Sequence, residues 1–113
     1  MLVRLRGELA RIPQPSGARR TSHSETNKAT STLVEDLFVG GIAWSDLRSH
    51  FDSVLGADGW SFVREYGYTN HGRDYGGKIA TYRKSTELVS VDSPGLDTTA
   101  GYTYALSIRW EVG

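Results

Sequence analysis

The chain has 113 residues, and its 13 lysine and arginine residues equal its 13 aspartate and glutamate residues in number. With no net charge there is no overall field to attract nucleic acid or an anionic membrane, so any such affinity must come from a local patch. The absence of cysteine excludes a disulfide scaffold, thiolate zinc sites and a cysteine nucleophile. No apolar run approaches the ~18 residues of a membrane span, and no signal-peptide core is visible, so we expect one soluble domain.

The front of the chain differs from the rest in its composition. The first 37 residues contain no aromatic side chain, and every Phe, Tyr and Trp lies from Phe38 onwards. We therefore expect the main core to come from the later part of the chain. The predicted organisation is an appendage over residues 1–30, partly disordered or forming an edge strand, followed by a core domain over residues 31–113.

A short amphipathic helix is predicted within this appendage. Its apolar positions recur at helical spacing until Pro13 ends the pattern, and they are Leu2, Leu5, Leu9 and Ile12. We interpret it as a capping helix on the domain. Because residues 1–23 are rich in arginine and contain a single acidic residue, a targeting presequence is the alternative. Binding to a surface or a partner is the third interpretation.

Two segments with different character follow. Residues 16–32 are small and polar, which is typical of a linker or of solvent-facing edge strands with a turn. Residues 32–39 are rich in strand-forming side chains and end at Gly40-Gly41, so they are predicted to form the first core strand.

An amphipathic helix is predicted over residues 44–55. Ser45 and Asp46 supply capping and dipole-favoured chemistry at its start, and Gly56 is expected to end it. We expect the apolar stripe of this helix to cover the last strand of the chain. The stripe has three- and four-residue spacing and consists of Trp44, Leu47, Phe51, Val54 and Leu55.

Alternation of apolar and polar residues resumes after Gly59. A second core strand is predicted from Trp60, with one face formed by Trp60, Phe62, Tyr66 and Tyr68. Residues 69–77 form a predicted Gly-rich loop, and residues 78–84 return as the third strand, so that the two strands make a hairpin. Residues 88–91 are predicted to form the next strand.

The clearest pattern is that of residues 102–112, where large apolar or aromatic side chains occupy every second position. Such alternation is typical of a strand with one buried and one solvated face. The prediction is therefore an α+β domain: an antiparallel sheet of about five strands packed on one amphipathic helix (residues 44–55), with a short N-terminal helical or extended appendage.

The order of several short motifs along the chain also resembles an order found in known proteins. The motif Pro13-x-Pro15-x-Gly17-Ala18 precedes a strand, a helix carrying an aromatic residue closes in Gly59-Trp60, and a run of strands follows. Over residues 12–113 this order resembles small uncharacterised bacterial envelope-associated or lipoprotein-like domains. The resemblance implies an N-terminal membrane anchor or lipobox, and an extracytoplasmic location is expected if such an anchor lies upstream of Met1. It implies no catalytic residue.

The most promising chemistry lies in the hairpin of residues 64–84. Five basic and two acidic residues make this segment net positive, and its aromatic and planar polar groups suit stacking on a base or a sugar ring. The alternative is that Tyr66 and Tyr68 face the core, and that the polar residues serve tight turns. The predicted binding residues are Tyr68, Asn70, His71, Arg73, Tyr75 and Lys78.

No pattern of an enzyme site is present in the sequence. The three histidines have no ligand spacing, and there is no Gly-x-Ser-x-Gly elbow, so we expect no catalytic residue, no metal and no cofactor. The predicted function is a non-catalytic binding or interaction module with an unknown protein partner. The alternatives are a binder of an anionic polymer, single-stranded nucleic acid or glycan through the hairpin, and a hydrolase with an unrecognised site. A homo-oligomer through a free sheet edge is a further prediction.

Overall fold

A six-stranded antiparallel sheet with helices on one face forms the architecture of the protein. The computed structural model describes residues 1–111. This confirms the α+β class and the antiparallel sheet, with six strands rather than about five and two α-helices rather than one. The elements are α1 (Leu2–Ala10), β1 (Arg19–Asn27), β2 (Ser31–Val39), α2 (Trp44–Ala57), β3 (Ser61–Asn70), β4 (Arg73–Lys84), β5 (Glu87–Ser93), a 3₁₀ turn (Thr98–Ala100) and β6 (Tyr104–Glu111).

Strand β6 lies in the middle of the sheet. The spatial order is β1-β2-β6-β5-β4-β3, so β6 joins the β1–β2 hairpin to the β3–β4–β5 meander. The predicted alternation is confirmed for β6, because Tyr104, Leu106 and Ile108 are fully buried while Arg109 is exposed. The predicted end of this strand at Val112 lies outside the described residues.

The two helices divide the covered face of the sheet between them. Helix α1 contacts β2 and β6, whereas α2 contacts β3 and β4. Helix α2 was also predicted to cover β6. It contacts β6 where the Phe51 ring packs edge-on against the Tyr104 ring, with 5.8 Å between the ring centroids. Within the described residues, neither helix has the length and apolarity to cross a membrane.

The N-terminal helix is part of the main core. Leu5, Leu9 and Ile12 are buried in the same apolar cluster as Phe51 and Tyr104. Most of this cluster lies from Phe38 onwards, as expected for the main core, and α1 adds aliphatic side chains that fill space as well as aromatic ones do. The division at residue 30 stays a prediction, although one core joins its two parts.

Helix α2 ends later than the sequence predicts, and Gly59 rather than Gly56 ends it. Gly59 has a φ of 88°, and its N–H donates to the carbonyl of Gly56 while the Trp60 N–H donates to the carbonyl of Leu55. This pair of bonds is a Schellman motif, which needs the left-handed residue that glycine supplies. At the other end, Ala43 precedes the helix without a side-chain hydrogen bond, so the predicted capping by Ser45 and Asp46 is wrong. Asp46 does lie in the first turn, where its charge interacts favourably with the helix dipole.

A bulge in β3 moves its side chains from one face of the sheet to the other. Phe62 lies opposite Tyr82 and packs edge-on against its ring. After a register shift at Val63, Arg64 lies opposite Thr81, which belongs to the other face. The predicted single face from Trp60 to Tyr68 is therefore wrong, because one extra residue reverses the alternation.

The predicted loop over residues 69–77 is mostly strand. Only His71 and Gly72 connect β3 to β4, and their φ angles of 53° and 73° are the left-handed values that the tightest two-residue hairpins require. Gly76, with a φ of 77°, lies where the register shifts between Tyr68 and Asn70. The glycines thus serve a turn and a bulge, and the predicted hairpin itself is confirmed.

Candidate functional site

The face of the sheet opposite the two helices carries a groove of about 510 Å³. We call it the open-face groove. Strands β2 to β6 all contribute to it, and it is lined by Glu35, Val63, Arg64, Tyr66, Ile79, Thr81, Arg83, Leu88, Ser90, Asp92, Ser107 and Arg109.

The strand register arranges the side chains of this face in cross-strand rows. Residues directly opposite each other in neighbouring antiparallel strands share a face and lie close together. Three consecutive rows can be followed across the sheet from β2 towards β3. The first contains Leu33, Arg109, Leu88 and Arg83, the middle one Glu35, Ser107, Ser90, Thr81 and Arg64, and the third Leu37, Ala105, Asp92, Ile79 and Tyr66.

Arg83 and Arg109 occupy one end of the open-face groove, and Arg64 lies in its middle row. Arg83 and Arg109 both lie beside Leu88, on its two sides, so their backbones are about 9.6 Å apart, which is two strand spacings. Arg64 extends over the ring of Tyr66, 4.6 Å from its centroid. Among residues 1–111, no carboxylate forms a salt bridge with any of the three guanidinium groups. These groups are therefore free to bind an anion.

Two half-buried carboxyl groups occupy the rest of the groove. Burial raises the pKa of Glu35, and the nearby carboxylate of Asp92 raises it further. Burial likewise raises the pKa of Asp92, although a hydrogen bond from Tyr68 opposes this. A cationic group in the groove would relieve the repulsion between these two acids.

Tyr68 is held flat against the sheet by a glycine. Its hydroxyl donates to Asp92 Oδ1 at 2.8 Å and lies 3.2 Å from the carbonyl oxygen of Ser93. To reach β5 the ring must cross β4 at Gly77, where a Cβ atom would come within 2.7 Å of Tyr68 Cζ. Burial and the adjacent Asp92 raise the pKa of the Tyr68 hydroxyl, so it remains a donor. Gly77 thus allows Tyr68 to orient Asp92.

Of the six predicted binding residues, the structure places Tyr68 next to the open-face groove. Lys78 lies opposite Gly67 and Ser93, next to Ile79 in sequence, and therefore on the helix-covered face. His71 and Arg73 are exposed at the tip of the hairpin. The fold does not bring His71 and Arg73 together with Tyr68. The assignment of the six residues to a single binding site stays a prediction.

The other two predicted residues hold a neighbouring loop against the hairpin. Asn70 Nδ2 donates to Asp97 Oδ2, and the backbone carbonyl of Tyr75 accepts from the N–H of Leu96 at 2.8 Å. Asp97 also accepts from Thr99 through its backbone N–H and its hydroxyl. The Asn70 side chain and the Tyr75 backbone thus fasten the loop.

Sequence reasoning missed Glu35, Arg83, Asp92 and Arg109 as partners in one groove. Their strands were mostly predicted, and alternation in the last strand places Arg109 on the solvated face. What the sequence does not reveal is that β6 inserts between β2 and β5. That insertion brings Glu35 and Asp92, which are far apart in the chain, to the same surface.

A second polar cluster fastens α1 to strand β1. His23 lies between Asp36, 2.5 Å from Nδ1, and Glu25, 2.7 Å from Nε2. Arg6 of α1 donates to both carboxylate oxygens of Glu25 at 2.7 and 2.8 Å. Arg6, followed by His23, lowers the pKa of Glu25 to about 2, and hydrogen bonds with Glu25 and Asp36 raise the pKa of His23. Within residues 1–111, no three His, Asp or Glu side chains are arranged to hold a metal ion.

No family model and no curated protein matches the chain, and no solved structure matches it significantly. The resemblance to envelope-associated or lipoprotein-like domains therefore stays a prediction. Function has to be argued from the geometry of the open-face groove.

Proposed function

We propose that the protein is a non-catalytic binding module and that its ligand occupies the open-face groove. The observation that supports this proposal is the set of arginines, Arg64, Arg83 and Arg109, which have no carboxylate partner within residues 1–111. The groove volume of about 510 Å³ lies in the range of ligand pockets, about 300–1,000 Å³. Guanidinium groups are also the side chains best suited to planar recognition of carboxylate or phosphate.

A binder of an anionic polymer, single-stranded nucleic acid or glycan is the second candidate. It is favoured by the combination of Arg64 with the ring of Tyr66, because aromatic faces and cations together stack bases and sugars. This candidate predicts a steep fall in affinity with rising salt concentration. The hydrolase alternative stays a prediction that no observation favours.

Amide NMR titrations test the binding function. The probes are a short single-stranded oligonucleotide, heparin, a set of oligosaccharides and a pool of short peptides. We expect at least one probe to shift the amide signals of Thr81, Ser90 and Ser107 on the floor of the open-face groove. Shifts confined to residues 70–78 would instead support the hairpin tip as the binding site.

A pair of variants separates binding from folding. Arg83→Gln combined with Arg109→Gln removes two exposed charges, so we expect binding to weaken while the melting temperature stays unchanged, since surface substitutions alter stability by about 0.5 kcal/mol or less. Arg73→Gln is the matched control, because Arg73 is equally exposed but lies at the hairpin tip. Equal binding by the double variant and the control would contradict the proposal.

The prediction of a homo-oligomer concerns the edges of the sheet. The two edge strands are β1 and β3, and β3 exposes Phe62 and Val63 beside its unpaired backbone. Such an edge can pair with a second copy. Light scattering over a concentration series measures the mass of the assembly directly. A monomer mass that stays constant over the series would refute the prediction of a homo-oligomer.

A further inference from the structure

The charges of the open-face groove are separated along its length. Leu88, which has Arg83 and Arg109 on its two sides, and Asp92 lie four residues apart on β5, and four residues of a strand span about 13 Å. The Leu88 end of the groove therefore carries two positive charges and the Asp92 end a carboxyl group, while Arg64 and Glu35 lie in the row between them, on β3 and β2. A ligand that fills it has to satisfy both ends.

The floor between these ends suits an extended chain. In the middle row the half-buried Ser90 and Ser107 present small hydroxyl groups that both donate and accept hydrogen bonds. Thr81 in the same row is buried, and its hydroxyl donates to the carbonyl of Arg64. An extended polypeptide advances about 3.3 Å per residue. Roughly four residues of such a chain therefore cover the distance between the two charged ends.

The two carboxyl groups argue against a uniformly anionic ligand. A phosphate or sulfate polymer that reached the arginines would also meet Glu35 and Asp92, and like charges brought together across an interface cost affinity. The zero net charge of the chain provides no wider field to compensate. A ligand that carries both signs of charge meets no such repulsion.

From these observations we infer that the open-face groove binds an extended polypeptide segment of a protein partner, with an acidic side chain at the end that carries Arg83 and Arg109 and a basic side chain near Asp92 and Glu35. The two side chains lie about four residues apart. This inference rests on the proposed binding function and specifies the chemical class of its ligand.

Selection from a library of random nine-residue peptides displayed on phage tests the inference. The intact chain is the target, and a variant carrying Arg109→Gln and Glu35→Gln serves for counter-selection. We expect the enriched peptides to contain one acidic and one basic residue, three to five positions apart. Enrichment of peptides with acidic residues alone would overturn the inference in favour of a general anion site.

Synthetic versions of one enriched peptide then assign each charge to its end of the groove. We expect replacement of either the acidic or the basic residue by an uncharged one to weaken binding about tenfold, the loss of one charge-assisted contact. Arg109→Gln should weaken binding of the parent peptide but leave the affinity of the acid-lacking peptide unchanged. Glu35→Gln should show the reverse pattern with the base-lacking peptide.

Two control variants and one competitor complete the experiment. Arg73→Gln and Asp46→Asn remove exposed charges at the hairpin tip and at the start of α2, and neither should change peptide binding. A single-stranded oligonucleotide that bound more tightly than the parent peptide, with shifts in the same groove, would overturn the peptide class but keep the binding function. Selection that enriched nothing over the counter-selected variant, with no groove signal moved by any probe, would overturn both.

Discussion

The two faces of the sheet have opposite chemistry although they share the same six strands. The covered face packs Leu5 and Phe51 of the helices against Tyr104 and its neighbours, and all three are fully buried. The open face presents charged groups around a groove, including arginines without carboxylate partners in the described part of the chain. If the open face binds a ligand as proposed, stability and recognition are separable, so a substitution should affect one and spare the other.

The largest effect is expected on the covered face. Phe51→Ala removes a fully buried ring that packs on Tyr104, and it should lower the free energy of unfolding by about 3–5 kcal/mol. Chemical denaturation measures the loss. Tyr66→Ala on the open face is the matched aromatic control and should cost less than about 1 kcal/mol. Similar losses from both would refute the division between the faces.

The ion pair between the buried Glu87 and the exposed Arg4 should give the next largest effect. Glu87 is fully buried, and Arg4 Nη2 lies 2.9 Å from its Oε1. Arg4→Gln leaves the carboxylate buried without its cation, which should cost about 1–3 kcal/mol. Adding Glu87→Gln removes the isolated charge, so we expect the double variant to be more stable than Arg4→Gln alone. A double variant that is less stable would show that Arg4 acts through packing.

Tyr68 on the open face forms a hydrogen bond with a carboxyl group of the groove. Tyr68→Phe removes the hydrogen bond to Asp92, which should cost about 0.5–1.5 kcal/mol. Because that bond lowers the pKa of Asp92, its loss should raise this pKa, as an NMR titration of the carboxyl signal would show. Gly77→Ala should have the same effect, since its Cβ displaces the Tyr68 ring. An unchanged pKa in both variants would exclude the orienting role.

The smallest effect concerns the cluster around His23 and should depend on pH. The hydrogen bonds with Glu25 and Asp36 raise the pKa of His23 above its ordinary value of 6.5, so its stabilising contribution is complete below that value and fades as the pH rises through the folded one. Arg6 and Arg20 face the same carboxylates and remain charged throughout. His23→Gln should therefore destabilise more at pH 6 than at pH 9, measured by thermal unfolding. Equal losses at both pH values would contradict this.

Local patterns predicted the elements better than their arrangement. The alternation of Tyr104, Leu106 and Ile108 and the helical spacing of Leu47, Phe51 and Leu55 are set by backbone periods of two and 3.6 residues, so the sequence shows them directly. The bulge at Val63 leaves no such mark, because it shifts the register without changing the composition.

The candidate groove was beyond sequence reasoning for a different reason. Glu35 and Asp92 face the same groove because of strand order, and strand order depends on pairings between distant parts of the chain. Of the predicted hairpin residues, His71 forms the turn and Asn70 holds the adjoining loop, whereas Arg73 is exposed and Lys78 lies on the helix-covered face. The alternation pattern of a strand predicts which face of the sheet a charged residue lies on, but it does not predict which residues of neighbouring strands lie beside it.

The central place of β6 also bears on how the protein is made. Strands β1 and β2 form one hairpin and β3 to β5 form a meander, and among the strands of residues 1–111 it is β6 that pairs with both groups. During synthesis on the ribosome β6 emerges after the other five strands. Until then the edges of β2 and β5 that pair with β6 remain unpaired, and the apolar side chains beside them remain uncovered. Such waiting states attract chaperones and aggregate readily. The nascent chain should therefore be most vulnerable just before residues 104–111 leave the ribosome exit tunnel.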